Sequence, residues 1–520
     1  MFKNHPKGLI PAALSNMGER FGYYIMVAVL SLFLCSKFGL SDTTAATIYS
    51  VFLAAIYVLS LVGGIIADRT QNYKGTIITG LIVMAAGYVL LSIPVTATPS
   101  FKTTLLVLTC LALTVIAFGN GLFKGNLQAI VGQMYDDFEA DAAQKGPEAV
   151  AAVKGKRDSG FQIFYVFINI GALVAPFIAP ALRSWWLGRF GLKYVAELPA
   201  LCHQYINAGG TLDGKNMALL TKYMGDAQIA GQPSMDLCAN YLEVFNQGVH
   251  FAFIASVVAM AISLCIFLAT RKLYPTPGKK EAVKSVQYSA EEKAAMAKEM
   301  KQRLYALFAV LGVVIFFWFS FHQNGVTLSF FTRDFIKTTQ LPPEIWQAVN
   351  PFFIIVLTPL VMMLFAALHR KGKDISTPRK IAYGMLIAGL AYLFLSIFSY
   401  ITNYPSGAEF TQIAADQRET LKAGAWVMIV TYFLLTVAEL FISPLGLSFV
   451  SKVAPKSMLG LCQGLWLGTT AVGNMLLPIG TMMYNKIPLW QCWGVFVIVC
   501  LISMGVMLFM VKWLERVTSE

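Results

Sequence analysis

The sequence predicts an all-α polytopic membrane protein with twelve transmembrane helices in two six-helix halves. Hydrophobic residues make up 57% of the 520 residues, charged residues only 13%, and the mean hydropathy is +0.63. Soluble domains carry about 25% charged residues, so this composition excludes an ordinary soluble fold. Apolar runs of about 20 or more residues recur along the chain, each long enough to cross a bilayer. One polar stretch near the middle divides them six and six.

Each predicted span is an apolar run bounded by polar or charged residues. The twelve spans begin near Leu9, Thr44, Gly75, Thr103, Ser159, Phe245, Arg303, Glu344, Arg379, Ala423, Ser457 and Pro488. The predicted domains are an N-terminal half over residues 1–271, a linker over 272–302 and a C-terminal half over 303–520. Residues 289–301 of the linker combine helix formers with spaced charges, which fits either a surface helix or a plain linker.

Lys and Arg residues are concentrated in alternate segments between the spans. Because the more basic side of a membrane protein is normally the cytoplasmic one, we expect both termini and the linker in the cytoplasm. Residues 187–244 then form a large outer loop. Cys202 and Cys238 share this loop, where an oxidising compartment would allow a disulfide. The net charge of +13 does not indicate nucleic acid binding, because the basic residues lie between spans rather than on one face.

The first span carries charged residues near its middle, in the stretch Asn16–Tyr24. A charged side chain at that depth costs about 2.5–3.5 kcal/mol on insertion scales, so it is retained only where it faces protein or water. The helical repeat of 3.6 residues places Asn16, Glu19, Tyr23 and Val27 on one stripe, with Arg20 beside it. The stretch is therefore either part of a functional site or an ion pair that locks two helices together.

Other spans contain polar residues of the same kind. Lys124 lies in a run framed by Gly119, Gly121 and Gly125, where glycines allow backbones to approach closely. Further candidates are Asn169, Trp318, His322, Asn350, Glu439 and Trp466. The charged residues within the predicted spans give the first half a net positive charge and the second half a negative charge. A site between the halves would therefore suit a dipolar ligand, such as an amino acid or short peptide, with its carboxylate near Arg20 and Lys124.

These motifs resemble those of the proton-dependent oligopeptide transporters, the peptide-transport branch of the major facilitator superfamily. The resemblance to this branch rests on Glu19-Arg20-Phe21 with Tyr23-Tyr24, the glycine-framed Lys124, Phe164-Tyr165 with Ile168-Asn169 and Gly171, and Glu439-Leu440 with Ser443-Pro444-Gly446. The stretch from Gly63 to Arg69, followed by Lys74-Gly75, resembles the loop signature of the whole superfamily. It implies the major facilitator fold and a secondary active transporter that imports di- and tripeptides by proton symport through alternating access.

The resemblance also implies roles for individual residues. Arg20 and Lys124 would hold the peptide carboxylate and Glu439 its amine. The pocket would be lined by Tyr23, Tyr24, Tyr57, Asn169, Trp318, Asn350 and Trp466. Proton coupling would involve Glu19, Arg20 and Lys124, with His322 as a further titrating group. We expect no enzyme activity, cofactor or metal, only protons as the coupling ion. We also expect a functional monomer in the bacterial inner membrane.

Three positions depart from the pattern of the family. Asn16 and His322 stand where the family usually has glutamates, and Val27 where it has an arginine. These changes leave open a transporter that has lost proton coupling. Separately, the same scaffold could serve a facilitator of another small zwitterionic or nitrogen-rich solute. An enzyme would need paired catalytic groups or a metal cluster, and a channel would need a repeated pore motif. The sequence shows neither.

Overall fold

The computed structural model describes residues 5–149, 156–275, 290–337, 342–373, 375–453 and 459–518. The described chain is almost entirely helical, which confirms the predicted all-α class. The longer helices are α1 (Leu9–Phe38), α2 (Asp42–Thr70), α3 (Tyr73–Ser92), α4 (Lys102–Lys145), α5 (Lys156–Arg189), α8 (Met235–Thr270), α9 (Ala290–Phe321), α11 (Val349–Arg370), α12 (Thr377–Ile401), α15 (Trp426–Val453), α16 (Leu459–Met475) and α18 (Leu489–Thr518). The shorter ones are α6 (Leu198–Asn207), α7 (Gly214–Asp226), α10 (Thr327–Phe335), α13 (Gly407–Phe410), α14 (Ala415–Leu421) and α17 (Leu477–Lys486).

Eleven helical segments within the described residues are long and apolar enough to cross a membrane. The remaining predicted span, which begins near Ser457, is described from Leu459 onward and consists there of two consecutive helices, α16 and α17, that meet at Leu476. Pro478 explains the break, because it lies in the first turn of α17 and has no N–H to donate to the preceding turn. The chain is therefore an integral multi-pass membrane protein.

The helices are grouped into two compact units. The first comprises the described residues within Met1–Lys279, Lys337–Pro351 and Gln412–Glu419, and the second comprises those within Lys280–Ile336, Phe352–Thr411 and Thr420–Glu520. The domain boundaries predicted from the sequence, at residues 271/272 and 302/303, are not tested by this grouping and stay a prediction. Residues 276–289 of the predicted linker lie outside the described residues. From Ala290 the chain is helical and continues without interruption into the seventh predicted span, as one helix, α9.

The first unit is held together by close helix contacts at small residues. A Cβ atom on Gly171 of α5 would lie 2.9 Å from the Met17 carbonyl oxygen of α1, so only glycine permits this approach. A Cβ atom on Gly63 of α2 would lie 2.1 Å from the Gly121 carbonyl oxygen of α4. Ser263 of α8 donates to the Ser15 carbonyl oxygen of α1 at 2.5 Å. Such contacts are typical of helices in membranes, where small residues and hydroxyl groups replace the hydrophobic driving force.

The predicted outer loop, residues 187–244, contains two short helices, α6 and α7, and the first turns of α8. Both of its cysteines are buried free thiols. The Cys202 and Cys238 thiols are close enough to interact electrostatically, so the two residues are brought together but are not bridged by a disulfide in this structure. The neighbouring Cys238 thiol and, to a smaller extent, burial raise the pKa of the Cys202 thiol.

The second unit pairs helices from distant parts of the C-terminal sequence. Helix α12 packs against α15 and α18, and α9 packs against α16 and α18. A Cβ atom on Gly473 of α16 would lie 2.8 Å from the Ile315 carbonyl oxygen of α9, so these two backbones are in direct contact beside Trp318. This contact positions the side chains on the facing turns of α9 and α16.

Candidate functional site

The first unit contains a buried ion pair between neighbouring residues of α1. Arg20 Nε donates to Glu19 Oε2 at 2.6 Å, and Arg20 Nη2 donates to Glu19 Oε1 at 2.7 Å. The exposed fraction is 0% for Glu19 and 5% for Arg20. The predicted stripe of Asn16, Glu19, Tyr23 and Val27 is buried as well. Because the two charges lie on the same helix, their bidentate pairing does not lock two helices together.

Helix α4 provides an additional partner for Glu19 that sequence reasoning missed. Asn120 Nδ2 donates to Glu19 Oε1 at 2.7 Å, and the Asn120 side chain is completely buried. Asn120 lies one helical turn before Lys124, so both side chains project from the same face of α4. Its position four residues before the predicted Lys124 is the only signal that could have identified it.

An aromatic ring lies against each of the two cationic groups, Arg20 and Lys124. The Arg20 guanidinium lies 4.5 Å from the centroid of the Tyr23 ring, and Lys124 Nζ lies 4.6 Å from that of Tyr57. Tyr23 and Tyr24 meet edge to face, with ring centroids 5.1 Å apart. Cations are attracted to the faces of such rings, most strongly where water is excluded. The structure therefore places Tyr23 beside Arg20 and Tyr24, and Tyr57 beside Lys124. Their role as pocket residues stays a prediction.

Asn169 of α5 is buried, as expected for a residue that faces the protein interior. Its Nδ2 donates to the Tyr165 carbonyl oxygen one turn earlier, at 3.0 Å. This bond lies within α5, so it does not join two helices. Gly171, two residues later, is a point of close contact between α5 and α1.

In the second unit, α9 and the 3₁₀ helix His322–Gly325 bring two predicted residues into contact. The Trp318 indole and the His322 imidazole are stacked, with centroids 5.2 Å apart and planes 20° apart. His322 Nδ1 lies 2.5 Å from Asn474 Oδ1 of α16. Because an amide oxygen only accepts, His322 donates from Nδ1, and Nε2 is the acceptor in the neutral ring. Asn474 was not anticipated; a lone amide in an apolar span was its only signal.

Three other predicted residues occupy separate helices. Glu439 of α15 is half-buried and Trp466 of α16 is buried, both in the second unit. Asn350, in the first turn of α11, is half-buried and is grouped with the first unit. The shared role of these three residues stays a prediction.

A second buried ion pair lies in the first unit and was also missed. Arg183 Nη1 of α5 donates to Glu344 Oε1 at 2.5 Å, and the exposed fractions of the two side chains are 3% and 1%. Glu344 belongs to the 3₁₀ helix Pro343–Ala348, which precedes α11. The Arg183 guanidinium also lies 4.1 Å from the centroid of the Tyr194 ring. The pair therefore fixes the residues before α11 to α5 and to the outer-loop residue Tyr194.

Comparison with known proteins identifies the family of this chain. The model of the POT family matches residues 74–288 and 279–492, which is more than half of the sequence. The chain is 25% identical to the dipeptide and tripeptide permease B of Xenorhabdus bovienii, over 99% of this chain and 97% of that protein. It is 27% identical to the dipeptide and tripeptide permease A of Citrobacter koseri, over 91% and 83%.

Solved structures show the same fold. A peptide transporter POT in complex with sulfate has a TM-score of 0.70 and 21% identity, and the match covers 99% of this chain and 96% of that one. A POT family transporter in complex with 5-aminolevulinic acid has a TM-score of 0.68 and 20% identity, over 100% and 98%. The family match, together with the buried Glu19–Arg20 pair and Lys124, leads to one conclusion: this chain belongs to the POT family.

Proposed function

We propose that this protein is a secondary active transporter that imports di- and tripeptides together with protons, through alternating access. Membership of the POT family and the names of the relatives, which are dipeptide and tripeptide permeases, support a peptide substrate. The observation that carries the proposal is the buried pair of Glu19 and Arg20. A carboxylate and a guanidinium in a membrane helix are costly, and such residues are characteristic of substrate and proton pathways.

The geometry of the pair supports a simple competition between proton and peptide. Two nitrogens of Arg20 are engaged by Glu19 in the structure. A proton on Glu19 removes the negative charge that holds the guanidinium, and the same two N–H groups can then bind another carboxylate. The terminal carboxylate of a peptide has that charge and shape. Protonation of Glu19 therefore favours peptide binding at Arg20, and Lys124 supplies a second positive charge.

The remaining predicted residues complete the proposed site. Glu439 binds the peptide amine. Tyr23, Tyr24, Tyr57, Asn169, Trp318, Asn350 and Trp466 contact the backbone and side chains of the peptide. His322 is the proposed second titrating group, because an imidazole changes charge near neutral pH. Protons are the coupling ion, and the protein uses no cofactor. It acts as a monomer and lies in the bacterial inner membrane with both termini cytoplasmic.

Counterflow in proteoliposomes with a panel of peptides tests the substrate class. Liposomes loaded with an unlabelled dipeptide should take up the same labelled dipeptide, and external di- and tripeptides should compete. Free amino acids and tetrapeptides should not compete at the same concentrations, because the proposed charges at the two ends of the site set the accepted length. Failure of every di- and tripeptide to exchange would contradict the proposal.

Replacing Glu439 with Gln should weaken peptides that have a free amine far more than their N-blocked analogues. A hydrogen bond to a charged group contributes about 1.5–3 kcal/mol, so the loss of affinity should be tenfold or more. The measurement is the concentration for half-maximal inhibition of counterflow, for matched free and N-acetylated dipeptides. Equal losses for the two peptides would show that Glu439 does not bind the amine.

A facilitator of another small zwitterion is the second candidate. A structure with the same fold, at 20% identity, was solved in complex with 5-aminolevulinic acid, which has a carboxylate and an amine without a peptide bond. Arg20, Lys124 and Glu439 offer charges that match such a molecule equally well. Competition by 5-aminolevulinic acid at dipeptide-like concentrations, without competition by tripeptides, would favour this candidate.

A further inference from the structure

Asn120 has one half of its side-chain amide bonded to Glu19 and the other half unused. Its Nδ2 donates to Glu19 Oε1 at 2.7 Å. Its Oδ1 is buried and has no hydrogen-bond donor within the part of the chain that the structure describes. Buried polar atoms are normally satisfied, so an unused acceptor beside a buried carboxylate calls for a physical explanation.

The backbone around Asn120 is held in place on both sides. A Cβ atom on Gly119 would lie 2.6 Å from the Met84 nitrogen of α3, and one on Gly121 would lie 2.5 Å from the Leu59 carbonyl oxygen of α2. Helix α4 is therefore in backbone contact with both neighbours at this turn. The position of residue 120 is fixed, and rotation of its amide group is the freedom that remains.

The two protonation states of a carboxyl group need opposite partners. A carboxylate accepts hydrogen bonds only, whereas a carboxylic acid has an O–H that must find an acceptor. Arginine and lysine donate but never accept. An amide carries a donor and an acceptor at its two ends, and a half-turn of the group exchanges them. Asn120 can therefore bond Glu19 in either state.

We propose that Asn120 is a positioning residue for the coupling proton. With Glu19 ionised, Asn120 Nδ2 donates to the carboxylate, as in the structure. With Glu19 protonated, the Asn120 amide turns and Oδ1 accepts the O–H of Glu19, which leaves Arg20 free of that carboxyl group. This inference rests on the proposed function, in which Glu19 binds the coupling proton.

Other charged and titratable groups near Glu19 must be distinguished from Asn120. Arg20 and Tyr23 lie on the same helix, Lys124 lies on α4, and Tyr88 lies on α3. Both Lys124 and Tyr88 interact electrostatically with Glu19. The Tyr88 hydroxyl is buried and, like Asn120 Oδ1, has no hydrogen-bond partner among the described residues. Tyr88 is therefore the competing candidate for the acceptor.

The test compares two measurements on each variant: accumulation of a labelled dipeptide driven by an inward proton gradient, and counterflow of the same dipeptide without a gradient. Asn120→Leu removes donor and acceptor at nearly constant size. In Asn120→Leu, we expect the loss of gradient-driven accumulation to be at least tenfold larger than the loss of counterflow. Asn120→Thr, whose hydroxyl can donate or accept, should recover part of the accumulation and guards against a folding defect in the leucine variant.

Asn126→Leu is the matched control on the same helix. Asn126 is buried, and its Nδ2 donates to two backbone carbonyl oxygens, those of Gly63 and Leu122, at 3.1 and 2.8 Å. Loss of this structural amide should lower accumulation and counterflow in equal proportion. The same equal loss in Asn120→Leu would assign Asn120 a structural role and overturn the inference. Loss of accumulation alone in Tyr88→Phe, with Asn120→Leu unaffected, would transfer the role to Tyr88.

Glu19→Gln separates this inference from the proposed function. If Glu19→Gln still accumulates peptide, the proposed role of Glu19 fails and the role of Asn120 fails with it. If Glu19→Gln loses accumulation while Asn120→Leu keeps it, only the role of Asn120 is wrong. If the proposed roles of Glu19 and Asn120 are both right, adding Asn120→Leu to Glu19→Gln should cause no further loss of accumulation relative to counterflow.

Discussion

Glu19→Gln is expected to abolish the accumulation of peptide under an inward proton gradient, so that the internal concentration rises only to the external one. Glutamine has nearly the same shape as glutamate and can still bond Arg20 and Asn120, but it cannot exchange a proton. The chemical gradient of peptide then remains as the sole driving force. The measurement is the steady-state ratio of internal to external labelled dipeptide in proteoliposomes, with counterflow recorded as the control for folding.

His322→Gln decides how the coupling is shared. If accumulation persists in His322→Gln and disappears in Glu19→Gln, coupling depends on Glu19 and not on His322. If it disappears in both, His322 contributes as well, through the ring that donates to Asn474 and stacks on Trp318. A Glu19→Gln variant that accumulates peptide as strongly as the unmodified protein would contradict the proposed coupling.

Removing one partner of the Arg183–Glu344 pair should have the largest effect on stability. Arg183→Met leaves Glu344 buried without its cation, and breaking a buried ion pair in this way costs about 3–5 kcal/mol. The double variant Arg183→Met with Glu344→Leu removes both charges, and apolar replacement of a whole pair is often close to neutral. We therefore expect most of the stability to return. The measurement is the free energy of unfolding of the detergent-solubilised protein in denaturant.

Arg189→Met is the control for this experiment. Arg189 is exposed near the end of the same helix and contacts the face of Trp185, at 4.9 Å from the ring centroid. An exposed cation–π contact contributes about 0.5–1 kcal/mol. The loss of stability in Arg189→Met should therefore be several times smaller than the loss in Arg183→Met. Equal losses for Arg183→Met and Arg189→Met, or a double variant less stable than Arg183→Met alone, would contradict this account of the buried pair.

Periodicity and composition predicted the helices well, because each span must satisfy its own backbone hydrogen bonds and be apolar over a fixed length. The same logic placed Glu19 and Tyr23 on a buried stripe, since the helical repeat alone decides which residues share a face. The exception is the span beginning near Ser457. Its apolar run continues past Pro478, and the hydropathy pattern does not record the helix break that this proline produces.

The site was predicted less completely, because its missing members depend on contacts between distant residues. Asn120 is an unremarkable amide until α4 is placed against α1 and its Nδ2 meets Glu19. Arg183 and Glu344 are 161 residues apart, and their pairing is not visible in one sequence. Lys124 and Tyr57 could be named from the family pattern, but their cation–π contact needed the packing of α2 against α4.

The most direct test of the central claim is the uptake of a labelled dipeptide by the unmodified protein in proteoliposomes with an imposed inward proton gradient. A proton symporter should raise the internal concentration above the external one, and a protonophore should return the two to equality. If the internal concentration only reaches the external one while the proton gradient is intact, the transporter is uncoupled. The departures at Asn16, Val27 and His322 would then go with a loss of proton coupling. That result would contradict proton symport.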